Sequence, residues 1–288
     1  MIAPIGRRRT AWVALLATLL VAGAVPAARA QEEGKEPAGE APAPDEAGAP
    51  EGADDAPEPP EDLDALIKEI TDLYRAESSI SRMELVITTP RRTRALEMKI
   101  WTRGEERALI VIEAPPREKG MATLKVDRNL WNYLPRINRT IRIPPSMMLA
   151  SWMGSDFTND DLVQESSLYK DYTYTLRGRS EDPAGWVIDF EAKPDIVGLW
   201  KRIEFVVRTD PIRPVRARYY DRKDRLSRTM RWSEMREFDG RSVPARMTLV
   251  PEDEKKKGHK TELLYLEIRF NPDVPDDTFS LSRLERKR

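Results

Sequence analysis

From Arg82 to Ile100 the chain reads RMELVITTPRRTRALEMKI, and the period of that stretch decides the fold. Met83, Leu85 and Ile87 alternate with Arg82, Glu84 and Val86, and after an interruption Leu96, Met98 and Ile100 alternate with Glu97 and Lys99. Successive strand side chains point to opposite faces, so this alternation predicts two strands that each bury one row. Upstream the period differs. Leu63, Leu66, Ile67, Ile70 and Leu73 fall at spacings of three and four, which predicts one amphipathic helix over 61–74.

Downstream the strand pattern continues at 107–113, 121–126, 130–134, 137–143, 170–178, 185–192, 200–208, 213–220, 225–235, 243–250 and 261–270. The connections are short and carry turn compositions, among them Arg103-Gly104, Asp182-Pro183-Ala184-Gly185 and Asp239-Gly240. The expectation is a mainly β chain with helices (α+β). Its single strongly curved antiparallel sheet forms an unclosed barrel, capped by the N-terminal helix and a central helical lid rich in Met and Trp. A two-sheet sandwich is the competing geometry, and the absence of an internal repeat argues against a propeller or solenoid. The concave face of a curved sheet is filled by its own side chains, by helices or by a ligand, and function turns on which.

The central insertion, Ile141 to Leu162, reads IRIPPSMMLASWMGSDFTNDDL. Met147, Met148, Leu149, Trp152 and Met153 fit one face of a short helix after Pro144-Pro145, and Gly154 frees the backbone behind them, as a hinged flap requires. Two roles are open: a lid on an ordinary hydrophobic core, or a lid over a cavity for lipid or another apolar ligand. Trp131 and Tyr133 lie in the run that leads into the insertion, so the candidate ligand contacts are Trp131, Tyr133, Met147, Met148, Leu149, Trp152, Met153 and Phe157. Arg139, Arg142 and Asp156 are candidates for gating or polar support. Arg136, Arg139 and Arg142 stand three apart, so Arg139 points away from the other two on a strand. They are either solvated strand charges or the groups that hold the lid shut. Asp160-Asp161 reads as the start of a helix capped by Thr158 or Asn159.

The ends add a compartment. Arg7 to Arg9, the apolar run Ala11–Val25 and Ala28-Arg29-Ala30 form a secretory leader over 1–30, too short to favour a retained membrane span. From Gln31 to Pro60 ten acids face the single Lys35 in a run of Ala, Pro and Gly, the composition of a disordered tether. The remaining 61–288 form the folded domain, mildly basic and too weakly so to suggest nucleic acid.

Chemistry is sparse. The chain has no Cys and one His, His259, which lies in a run of charged residues typical of a loop. Disulfide scaffolds, thiol nucleophiles, soft-ligand zinc sites and histidine triads are therefore excluded. No phosphate loop or dinucleotide fingerprint occurs, and Asp156, Asn159, Asp160 and Asp161 do not follow the calcium-loop spacing. No cofactor, metal or catalytic residue is expected. Trp101, Trp131, Trp152, Trp186, Trp200 and Trp232 instead supply enough aromatic surface for a large interior.

Several runs carry a resemblance: Arg117-Glu118-Lys119-Gly120, Leu130-Trp131-Asn132-Tyr133-Leu134-Pro135, Arg142 to Met148, Ser151 to Leu162, Tyr219-Tyr220-Asp221 and Pro244 to Met247. Over Glu61 to Leu284 the chain resembles the outer-membrane lipoprotein-sorting protein family, related to the LolA-type periplasmic carriers. The resemblance implies a helix-covered unclosed barrel that holds acyl chains. It also implies a periplasmic carrier that takes lipoproteins or related lipids from an inner-membrane ABC-type exporter to an outer-membrane acceptor. The alternative is a non-catalytic envelope binding or scaffold module with a packed barrel, associated with an inner-membrane exporter.

Overall fold

The computed structural model describes residues 59–74, 76–164, 171–194 and 200–285. The leader expected over 1–30 lies outside them, as does all but the end of the acidic tether. Helix α1 (Leu63–Asp72) starts where Asp62 accepts the Ala65 N–H at 2.9 Å, and it buries Leu66 and Ile67. The strands follow as β1 (Ser78–Thr89), β2 (Arg92–Arg103), β3 (Arg107–Ala114), β4 (Ala122–Val126), β5 (Asn129–Leu134) and β6 (Arg139–Arg142). After helix α2 (Asn159–Gln164) come β7 (Tyr172–Glu181), β8 (Ala184–Ala192), β9 (Arg202–Thr209), β10 (Ile212–Tyr220), β11 (Leu226–Phe238), β12 (Arg241–Pro251) and β13 (Lys260–Phe270). Helix α3 (Leu281–Glu285) ends the described chain.

All thirteen strands form one antiparallel sheet in the order β6-β5-β4-β3-β2-β1-β13-β12-β11-β10-β9-β8-β7. Neighbours in sequence pair except β6 and β7, and the long-range pairing of β1 with β13 splices the two meanders at the centre. This corrects the expectation of a strongly curved sheet forming an unclosed barrel. The sheet is open, with β6 and β7 as free edges, and is not wrapped about one interior.

The physical reason lies in β3. Leu109 and Val111 pack with Val274, Phe279 and Leu284 on one face, whereas Ile110 and Ile112 pack with Met83, Leu85 and Trp152 on the other. A strand buried on both faces serves two cores, and a barrel strand with one solvated side would not read that way. The front face carries α1 over β7 to β10 and the 143–164 segment over β1 to β3. The back face carries the C-terminal segment 274–284 over β3 to β5. Farther along it carries an ion network: Glu204 takes Arg177, Arg218 and Arg216 at 3.0, 3.2 and 3.4 Å. Burial pushes the Glu204 carboxyl up, but the bonded arginines outweigh it and hold it below its ordinary range.

If the sheet serves two cores, truncations on either face of β3 are equally damaging. Leu109→Ala and Ile112→Ala are each expected to lower stability by about 2–5 kcal/mol in urea unfolding. A cheap change at Leu109 would return the sheet to a single-core design.

Candidate functional site

Strands β6 and β7 are consecutive in sequence yet sit at opposite edges of the sheet, so the chain after Arg142 must cross it. The crossing begins where the Ile143 N–H donates to Leu130 O at 2.8 Å. Pro144 and Pro145 have no N–H to extend the β6 ladder, and a single 3-10 turn, Pro145–Met147, follows.

Residues 150–159 then form a tight hairpin, not the expected helical lid. Asn159 N–H donates to Ala150 O at 3.0 Å, Trp152 N–H to Phe157 O at 2.8 Å, and Ser155 N–H closes the turn on Trp152 O at 2.9 Å. The two central residues, Met153 and Gly154, have positive φ, at 52° and 73°. This is the turn geometry that matches strand twist, and it suits Gly but strains Met. Arg94 holds the strained residue by donating from Nη2 to Met153 O at 2.6 Å.

Trp152 is the plug. It is 3% exposed and packs among Met83, Leu85, Ile87, Leu96, Met98, Ile110 and Ile112. Its Nε1–H donates to Thr123 Oγ1 at 3.1 Å, and Thr123 donates to Asn132 Oδ1 at 2.8 Å, so the indole is satisfied inside the core. Phe157 packs against both front-face clusters, while Met148 and Met153 are half-buried. Met147 and Leu149 point outward, 49% and 59% exposed. Trp131 and Tyr133 lie on the back face with Leu109 and Leu124, opposite Trp152. The structure therefore divides the expected contact set between two sides of the sheet.

Two polar clamps hold the hairpin. Asp156 exchanges hydrogen bonds with Thr261 in β13, N–H to Oγ1 at 3.0 Å and Oγ1–H to Oδ2 at 2.9 Å, and Lys256 lies 3.3 Å from its other oxygen. Asp161 accepts both terminal nitrogens of Arg228 at 2.7 Å. Asp161 also accepts the Thr158 N–H at 2.7 Å, while Thr158 Oγ1 accepts the Asp161 N–H at 3.2 Å, a reciprocal cap on α2. Arg228 is 6% exposed, and its guanidinium lies 4.4 and 4.5 Å from the ring centres of Trp200 and Tyr219. Burial pushes the Asp161 carboxyl up, but the Arg228 charge and the hydrogen bonds outweigh it and hold it below the usual carboxylate range.

Arg139 and Arg142 take no part in these clamps. Arg142 donates to Asn129 Oδ1, and the register sets Arg139 on the front face and Arg142 on the back. The clamping arginines are Arg94 and Arg228, which sequence reasoning missed. Arg228 stands three residues from Arg225 and from Arg231, and no local signal marks which of the three is buried.

Among the described residues no group of three or more His, Cys, Asp or Glu is placed to hold a metal. His259 Nδ1 stands 4.0 Å from Asp156. Two adjoining clefts lie on the back face, sharing Trp101 and Arg283. The larger, about 720 Å³, has in its lining Trp101, Val111, Tyr133, Leu284, the cations Lys99, Lys119 and Arg283, and the acid Glu113. No residue of the hairpin lines either cleft.

A family model described as "-like: Uncharacterized protein" matches residues 104–286. No curated protein matches the chain. Among solved structures it is similar to a DUF1329 family protein from Desulfovibrio piger, at 24% identity and a TM-score of 0.69, covering 77% of this chain and 97% of that one. It is also similar to a domain described as outer membrane lipoprotein-sorting from Vibrio parahaemolyticus, at 20% identity and a TM-score of 0.66, covering 77% and 98%. A LolA superfamily protein from Nitrosomonas europaea follows at 19% identity and a TM-score of 0.63, covering 76% and 97%. The likeness establishes a fold of the lipoprotein-sorting type.

The Arg228–Asp161 clamp has a pH signature. Because the folded-state carboxyl is lowered, its contribution is complete above the unfolded pKa and is lost as pH falls through the folded value. Asp161→Asn is expected to lose about 3 kcal/mol at neutral pH and to show a flatter acid limb below about pH 5. The pair Asp161→Leu with Arg228→Met should recover much of that loss in urea unfolding. Parallel acid limbs for wild type and Asp161→Asn would remove the clamp from the account.

Proposed function

The chain belongs to the family whose model matches residues 104–286, and from that premise we propose that it is a non-catalytic binding module of the cell envelope that engages its partners through its surface. The observation that carries this reading is the buried Trp152. The space behind the hairpin, where an acyl chain would lie in a carrier, is taken up by the protein's own indole and the methionines and leucines around it. The leader over 1–30 directs the module to the periplasm, and the acidic tether over 31–60 separates the domain over 61–288 from that leader. Association with an inner-membrane exporter completes the proposal, in keeping with the lipoprotein-sorting fold.

A second reading, acyl-chain carriage between an ABC-type exporter and an outer-membrane acceptor, is favoured by one observation. The back-face cleft has the volume and aromatic lining of a small-molecule site, with cations at its rim. Withdrawing a chain of about sixteen carbons from water is worth roughly 12 kcal/mol, so a carrier binds such a chain at micromolar concentration or tighter.

Titration of the exported protein with a fluorescent fatty acid separates the two. The surface-binding reading expects no saturable uptake by wild type, and uptake of a small apolar probe only after Trp152→Ala opens a cavity. Saturable micromolar uptake by wild type that falls at least tenfold in Lys119→Glu with Arg283→Glu would transfer the function to the cleft.

A further inference from the structure

Four of the six large hydrophobic side chains exposed among the described residues fall within thirteen positions: Ile137 (58%), Ile141 (44%), Met147 (49%) and Leu149 (59%). They line strand β6 and the turns at its two ends. The sequence around them is also unusual in charge. The chain as a whole balances 48 basic against 49 acidic residues, yet between Asp127 and Asp156 it carries Arg128, Arg136, Arg139 and Arg142 and no acid. All four arginines are exposed. Glu285, from outside this run, accepts the Thr140 hydroxyl at 2.8 Å, and the Asp160 backbone N–H donates to Met148 O at 2.8 Å.

We propose that the β6 edge and its flanking turns are a docking surface for an anionic lipid bilayer. Exposed Ile, Met and Leu set among arginines is the composition of an interfacial segment, in which apolar side chains enter the acyl boundary and guanidiniums stay with the phosphates. The backbone argues against the other obvious occupant, an added strand from a protein partner. β6 has only four residues, and Pro135 on one side with Pro144-Pro145 on the other removes the N–H groups that a longer ladder needs. The register places Arg139 and Ile141 on opposite strand positions from Thr140 and Arg142, so a bilayer lying along the edge meets basic side chains from both faces. Anchoring at this edge is peripheral: among the described residues no helix is long and apolar enough to cross a membrane.

This inference rests on the reading that the module binds through its surface, and the two fail separately, one by vesicle flotation and the other by fatty-acid titration. The exported protein is floated with vesicles of phosphatidylglycerol and phosphatidylethanolamine, and with vesicles of phosphatidylcholine alone. The expected result is co-flotation with the anionic vesicles only, weakening as salt rises. Met147→Ser with Leu149→Ser, and separately Arg139→Gln with Arg142→Gln, should each reduce partitioning at least tenfold. All of these positions are exposed, and circular dichroism verifies the sheet in both variants. The proposal is overturned if wild type ignores anionic vesicles at low salt, if it binds phosphatidylcholine equally, or if both variants float like wild type. Failure on vesicles with a crosslinker at position 147 capturing a second envelope protein would give the edge to a protein.

Discussion

The edge-to-edge crossing that follows β6 is the constraint on which the rest of the structure depends. A sheet whose consecutive strands β6 and β7 lie at opposite edges obliges the intervening chain to pass over one face. Backbone in such a place must satisfy its own polar groups. The 150–159 hairpin does so by pairing with itself, and it needs outside partners only at fixed points. Among those points are Arg94, Thr123, Thr261 and Arg228, drawn from β2, β4, β13 and β11. The crossing thus ties together strands from both meanders, whose only direct pairing among the described residues is β1 with β13. Of the four contacts, Arg228 with Asp161 has the greatest consequence, because a guanidinium so far from water is tolerable only with its carboxylate in place.

How much of this was legible in the sequence follows from the range of each interaction. The alternation of Met83, Leu85 and Ile87 and the three-and-four spacing of Leu63, Leu66, Ile67, Ile70 and Leu73 are local, and β1 and α1 appear where those patterns stand. The helix-start reading at Thr158 to Asp161 is also local, and the reciprocal cap realises it. Sheet order is not local. Nothing in Lys260 to Phe270 states that it pairs with β1, so a long meander of alternating strands was compatible with a barrel, a sandwich or the open sheet found. The two-faced burial of β3 held a clue. The run Leu109-Ile110-Val111-Ile112 has no polar alternate, which is what a strand covered on both sides requires.

The hairpin shows a different limit. Met147, Met148, Leu149, Trp152 and Met153 have helical spacing, but Pro145 and Gly154 confine any helix to about two turns, where nucleation is not repaid. Trp152 gains more from the core than the segment would gain from helical hydrogen bonds, and hairpin pairing leaves none of the local backbone groups at 150, 152, 157 and 159 idle. Similarly, the parity of Trp131 and Tyr133 places them on a common face, but parity cannot say which face. Their back-face position follows from the register of β4 and β5 against β3.

Anchoring and exposure are two consequences of one arrangement. A loop with Met147 and Leu149 facing water would ordinarily fold those side chains against the nearest apolar surface, since burial of each is favourable. Here the neighbouring core is already occupied by Trp152, and the backbone on either side is pinned, by the Ile143 to Leu130 bond before it and by Asn159 Nδ2 donating to Met147 O at 3.0 Å behind it. The chain is therefore held with its apolar side chains outward, and little conformational entropy is left for a binding surface to remove. The plug that fills the interior is thus also what keeps the edge exposed: filling the space behind the hairpin and presenting Met147 and Leu149 to a partner are the same structural act.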